Sequence, residues 1–182
     1  MPGSFHPPTR AHLALARAAL ERVNQVLFVL PREFPHKQYD QVGIADRVSL
    51  LREATAGEPR FHVALSEGGL FIDIARECRK AAPHAELLFL CGRDAAERIV
   101  NWNYGAAGAI AAMLEEFSLL VADREGRYQP PLELAHRIRA LDVEDDLSGI
   151  SSSEVRRRIA QGEPWEHLVP EEITESVRRI YC

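Results

Sequence analysis

The sequence predicts an α/β fold built on a doubly wound, mainly parallel sheet. Two observations carry that prediction. Short continuous apolar runs, at Val26 to Leu30, Leu87 to Cys91 and Phe117 to Ala122, have the pattern of strands covered on both faces. Between them lie segments whose apolar residues recur at helical spacing, and strands that alternate with helices assemble a parallel sheet. A third observation places a site. Gly3 and Gly92 fall at junctions leading into helices, and open α/β sheets bind ligands at the carboxyl ends of their strands.

At 182 residues the chain is expected to form one domain, 1–182, with the helical segment 151–182 inside it. Hydrophobic residues make up 46% and charged residues 27%, a globular balance. The net charge of −5 gives no basic surface for nucleic acid. No apolar run reaches the roughly 20 residues that span a bilayer, so no membrane partner is expected. Met1-Pro2-Gly3 begins without the basic and apolar stretches of a signal peptide. Cys78, Cys91 and Cys182 have neither paired nor metal-ligand spacing, which suits free thiols in a reducing, cytoplasmic setting.

Taken in order, Thr9 is the N-cap candidate for a helix carrying Leu13, Ala16, Leu20 and Val23, with Asn24 as its terminator. The strand Gln25 to Leu30 closes at Pro31. A polar loop over Arg32 to Gln41 carries Pro35-His36-Lys37. Ile44, Val48, Leu51 and Ala54 mark a second helix, followed by Gly57. Phe61 to Leu65 alternates as a strand does, and Leu70 to Ala82 is helical up to Pro83. The apolar run to Cys91 leads into Gly92-Arg93-Asp94 and a helix to Val100. Alanine-rich Ala106 to Glu116 is helical by propensity, and Leu132 to Leu141 fits helix or strand equally. Ser151 with Glu154 forms a capping box, Gly162 closes that helix, and Pro170 opens a last one.

Two stretches carry chemistry. In Gly3-Ser4-Phe5-His6-Pro7-Pro8-Thr9-Arg10-Ala11-His12, a glycine turn leads to a helix start, with Thr9 and His12 on its first-turn face. Free N–H groups and the positive dipole end there suit a phosphate. The same residues also read as a capped proline turn with a surface histidine. In Ile150-Ser151-Ser152-Ser153-Glu154-Val155-Arg156, Ser151 caps the helix, which leaves the Ser152 N–H in the free first turn. Taken alone, Arg156, Arg157 and Arg158 read as a solvated face, Lys37 as surface and Asp94 as a cap. Trp102 either stacks on a base or covers the sheet edge. A glycine turn feeding a helix ordinarily follows a strand, yet only Met1 and Pro2 precede Gly3. The first strand is therefore expected to lie outside the sequence, or the sheet to be built without it.

In order, these segments resemble the nicotinamide- and nicotinate-mononucleotide adenylyltransferases of the nucleotidylyltransferase superfamily. Gly3-Ser4-Phe5 through Thr9 and His12 resembles the opening phosphate motif, in the form with Thr at its first position. Pro35-His36-Lys37 with Arg47 resembles the substrate loop and the helix after it. Gly92-Arg93-Asp94 resembles the turn that holds the adenosine ribose, and Ile150 to Arg156 the closing motif. Leu168-Val169-Pro170 and the last helix to Tyr181 match the family's ending.

The resemblance implies a Rossmann-like nucleotidylyltransferase fold and transfer of AMP from ATP to a pyridine mononucleotide, with Mg²⁺ on the triphosphate. It implies catalytic roles for Thr9, His12, Lys37 and Arg156. ATP binding falls to Gly3, Ser4, Phe5, Gly92, Asp94, Ile150, Ser151 and Ser152, and the acceptor to Arg47 and Trp102. No protein metal ligand is expected. The partners implied are small molecules, with a homo-oligomer left open. Gly69-Leu70-Phe71-Ile72-Asp73 lacks the hydroxyls that hold the pyridine in the bacterial branch, and no tryptophan falls between Phe61 and Ala82. These departures motivate two alternatives: a related transferase with another phosphorylated acceptor, or a nucleotide-binding module without turnover.

Overall fold

The computed structural model describes residues 1–32, 42–102, 104–105, 108–122, 128–143, 147 and 149–182. Five strands and seven helices alternate along the described residues. In order they are α1 (Arg10–Ala19), β1 (Val26–Pro31), α2 (Ile44–Thr55), β2 (Phe61–Ser66), α3 (Phe71–Ala81), β3 (Leu88–Gly92), α4 (Arg93–Asn101), α5 (Ala109–Leu114), β4 (Ser118–Ala122), β5 (Ile138–Leu141), α6 (Ser152–Gln161) and α7 (Thr174–Tyr181).

All strand pairs are parallel, in two blocks. β1 pairs with β2 from Val26–Phe61 to Pro31–Ser66. β4 lies between β3 and β5. The apolar runs form strands whose faces are covered: all five residues of β4, the central strand of its block, are buried, and Phe28 and Leu30 of β1 are fully enclosed. Burying each of these large side chains contributes about 1.5–3 kcal/mol.

Gly3 is held by pairing onto β1. Its N–H donates to the Val29 carbonyl at 3.0 Å, and the Val29 N–H donates to the Met1 carbonyl at 3.0 Å. Pro2 forms a parallel bridge with Val29, and the Met1 amine donates to the Leu27 carbonyl at 2.7 Å. A cavity of about 850 Å³ lies between β1 and β3, with Met1, Leu27, Val29, Leu88 and Leu90 in its wall.

Several boundaries differ from the sequence reading. α1 ends at Ala19, so Leu20 and Val23 lie in the turn beyond it, where the Val23 N–H still reaches the Ala19 carbonyl. Of the alanine-rich segment, Ala109–Leu114 is helical with Gly108 at φ 77° as its N-cap, and the helix stops before Glu115; Ala106 and Ala107 lie outside the described residues. Leu132 to Leu141 divides into a 3₁₀ turn over Leu132–Leu134 and strand β5, which β4 selects by pairing. α6 keeps both predicted ends: the Ser151 hydroxyl accepts the Glu154 N–H at 3.1 Å, and Gly162 closes the helix at φ 68°.

The chain's two ends share one core. Phe5, Phe28 and Leu30 pack in the same buried cluster as Val155, Leu168, Ile173 and Val177. Among the described residues, no helix is long and apolar enough to cross a membrane.

Candidate active site

The opening loop is shaped from inside. The Phe5 ring is almost fully buried and packs edge-on against His12 at 5.1 Å and Phe28 at 5.6 Å. Holding it there puts the Phe5 backbone at φ 44°, a left-handed conformation costly for a bulky residue. Gly3 makes room, since a Cβ at that position would sit 2.9 Å from Phe5 Cζ.

At the start of α1, the Thr9 N–H donates to His12 Nδ1 at 3.0 Å, and Thr9 Oγ1 lies 2.9 Å from the same nitrogen. An Nδ1 that accepts an N–H carries no proton of its own. The neutral ring is therefore protonated at Nε2, the form that can donate to an anion. Thr9 is fully buried, so its hydroxyl sets the imidazole rather than reaching outward.

Three side chains from distant parts of the chain grip carbonyls of this loop. Arg47 on α2, 4% exposed, donates from Nη1 to the Ser4 carbonyl at 3.2 Å. Arg156 on α6 donates from Nη1 to the His6 carbonyl at 2.5 Å. Ser152 donates its hydroxyl to the Pro7 carbonyl at 2.7 Å. A charged donor on a carbonyl makes a stronger hydrogen bond than a neutral one, and the two arginines are of that kind. Arg156 with Ser152 fixes the loop against the amino end of α6, while Arg47 ties it to α2. The neighbouring arginines behave differently: Arg157 binds Glu154 and Glu163, and Arg158 binds Glu154, on the outer face of the helix.

The geometry thus brings together Gly3, Ser4, Phe5, Thr9, His12, Arg47, Ser152 and Arg156, with Ser151 capping α6 and Ile150 packed against the core beside it. Sequence reasoning assigned Arg47 to substrate, whereas its Nη1 is spent on the loop. His6 and Tyr181 were missed. The His6 ring, only 5% exposed, meets the Tyr181 hydroxyl at 2.7 Å through Nδ1. The available signal was spacing: Tyr181 lies one helical turn beyond the fully buried Val177 and so shares its face. Burial, with Arg156 and Arg47 nearby, pulls the His6 pKa down to about 4, so the ring is neutral at pH 7.

A second group runs along one face of α4, from its first turn to its end. Gly92 is its N-cap at φ −81°, and a Cβ there would meet nothing within 4 Å, so the backbone is open to approach. Asp94, Glu97, Arg98, Asn101 and Trp102 line a shallow depression. Trp102, which follows the last residue of α4, is 52% exposed. Arg93 is tied to Glu97 at 2.7 Å, along its own helix. Lys37 lies outside the described residues, as do Pro35 and His36. Among the described residues, no group of three or more His, Cys, Asp or Glu could hold a metal ion.

This arrangement has relatives. A family model described as cytidylyltransferase-like matches residues 1–158. A probable nicotinate-nucleotide adenylyltransferase of Thermus thermophilus is 34% identical, over 92% of this chain and 89% of the relative. Another from Carboxydothermus hydrogenoformans is 30% identical over 96% and 92%. In fold, the chain matches the nicotinic acid mononucleotide adenylyltransferase of Plasmodium falciparum, solved with NaAD, at a TM-score of 0.76. That match covers 98% of this chain and 92% of the other at 15% identity. The chain belongs to the cytidylyltransferase-like family of nucleotidyltransferases, among its nicotinate-nucleotide adenylyltransferases.

Proposed function

We propose that this enzyme transfers AMP from ATP to the 5′-phosphate of nicotinate mononucleotide and releases pyrophosphate, a step of NAD biosynthesis. The observation that carries the reading is the clasp of the Ser4–Pro7 loop by Arg47, Ser152 and Arg156. With these carbonyl oxygens engaged by donors, the loop and the amino ends of α1 and α6 offer N–H dipoles to an anion. The relatives' names support nicotinate as the pyridine.

The chemistry needs little beyond positioning. A phosphate monoester has a second pKa near about 6 and is already charged at neutral pH. One of its oxygens attacks the α-phosphorus of ATP, and the bond from that phosphorus to the bridging oxygen breaks as pyrophosphate leaves. Negative charge grows on the α-phosphoryl oxygens and the departing group, and fixed donors placed there lower the barrier. His12 supplies its Nε2–H, held by Thr9. Arg156 supplies positive charge from the edge of the loop, and Lys37 a second cation. Asp94 accepts from the ribose hydroxyls and Trp102 stacks on a base. Mg²⁺ enters with ATP as part of the substrate. The whole chain works as one unit in the cytoplasm.

A second reading, with another phosphorylated acceptor, rests on the segment before α3. Phe71 stacks on Phe89 at 5.0 Å, against the buried cluster that holds Phe89, Phe117 and Leu119, so its ring is committed to packing rather than to a pyridine. Pyrophosphate release with ATP and a panel of acceptors separates the readings. Turnover with nicotinate mononucleotide supports the first. Silence with both pyridine mononucleotides, alongside turnover with another phosphate, replaces it with the second.

A further inference from the structure

The three clasps described above all hold backbone carbonyls. The loop is also held by a side chain at its centre, through a helix that none of the phosphate motifs includes. The Tyr181 hydroxyl lies 2.7 Å from His6 Nδ1, and the two rings are 5.3 Å apart between centroids, tilted by 46°. α7 gives this hydroxyl a fixed origin: Ile173 just before it and Val177 within it are fully buried, and the helix packs on α2. His6 is joined on either side to parts of the candidate site. It follows the strained Phe5, and its own carbonyl takes the Arg156 guanidinium. A backbone held at φ 44° on a non-glycine residue persists only when its surroundings over-determine it. A rigid hydroxyl on the next side chain is one such determinant.

We propose that Tyr181 is a positioning residue for ATP, its hydroxyl locking the His6 ring and thereby the Gly3–Thr9 loop in the conformation that receives phosphate. The proposal rests on the adenylyl-transfer reading above. His6 stays uncharged at pH 7, so the contact is a neutral hydrogen bond. Tyr181 does not touch the nucleotide. It acts through His6, and its effect should fall on ATP rather than on the acceptor.

The test is Tyr181→Phe, which keeps the ring and removes the hydroxyl. Its companions are His6→Leu, which removes the nitrogen, and His6→Asn, whose amide places a polar atom where Nδ1 stands. Each is assayed with ATP varied, then with nicotinate mononucleotide varied, and its melting temperature is measured. Tyr181→Phe and His6→Leu should each raise KM for ATP about 5-fold, the scale of one hydrogen bond, with KM for the acceptor unmoved. The double variant should be no worse than the poorer single one, and His6→Asn should recover most of the loss. An unchanged KM for ATP in Tyr181→Phe overturns the proposal. So does an equal loss for both substrates that tracks the melting temperature and is not recovered by His6→Asn.

Calorimetry with ATP alone keeps the two readings apart. If the wild type makes no dinucleotide yet binds ATP more tightly than Tyr181→Phe, the positioning role stands and the reaction assignment falls. If the wild type binds no ATP, both fall.

Discussion

The guanidinium of Arg156 lies 2.5 Å from the carbonyl oxygen of His6, joining α6 to a loop 150 residues earlier. This contact fastens the closing motif to the opening one, and it serves charge placement and loop shape together. Arg156→Ala should therefore act twice. Loss of a charged donor to a part-buried carbonyl costs about 1–3 kcal/mol of stability, read as a lower urea midpoint. The catalytic efficiency toward ATP should fall at least about 10-fold. Arg156→Lys should lie between, because an ammonium can restore one hydrogen bond but not the planar fork.

Two glycines separate packing from function. A methyl at Gly3 meets the Phe5 ring at 2.9 Å, and that ring is wedged between His12 and Phe28. Gly3→Ala should lose about 1–3 kcal/mol in urea unfolding, as over-packing does. Gly92→Ala meets nothing and has an ordinary φ of −81°. It should unfold within about 0.5 kcal/mol of the wild type while raising KM for ATP, since its open backbone is where the adenosine side is expected to sit.

The buried imidazole of His6 makes stability pH-dependent in a known direction. Its pKa is about 4 when folded and 6.5 ordinarily. Between those values the unfolded chain binds a proton that the folded chain refuses, so stability rises with pH through that window. The contribution is complete above 6.5 and is lost as pH falls toward 4. Melting temperatures recorded across this range should drop steeply for the wild type and less steeply for His6→Asn.

Asp94 is exposed in the first turn of α4, in the depression whose far end Trp102 lines. Asp94→Ala should leave the melting temperature within about 2 °C, as exposed substitutions do, and raise KM for ATP several-fold. A melting temperature that falls with activity unchanged would mark the carboxylate only as a first-turn partner of the helix dipole, the cap expected of Asp94 having fallen to Gly92.

Legibility in the sequence followed the range of the interactions. Strands such as β4 and the two caps of α6 were readable because they depend on neighbouring residues: an apolar run, a serine before Glu154, a glycine after Gln161. Leu132 to Leu141 was not, because β4 decides it by pairing. The way Gly3 is held was hidden for the same reason, its partner Val29 being a tertiary neighbour. At the site, residue types and order exposed Thr9, His12 and Ser152. Direction did not show. Nothing local says that Arg156 turns inward to His6 while Arg157 and Arg158 turn outward to glutamates. Nor does anything local say that Arg47 is buried against Ser4.

The central claim is that His12, its ring set by Thr9 and protonated at Nε2, stabilises charge during adenylyl transfer. The most direct measurement is pyrophosphate release by the wild type and by His12→Ala, with saturating ATP and nicotinate mononucleotide and the melting temperature matched. Loss of one preorganised donor should cut turnover about 10²-fold with the fold intact. Turnover that survives the substitution at the wild-type rate contradicts the account.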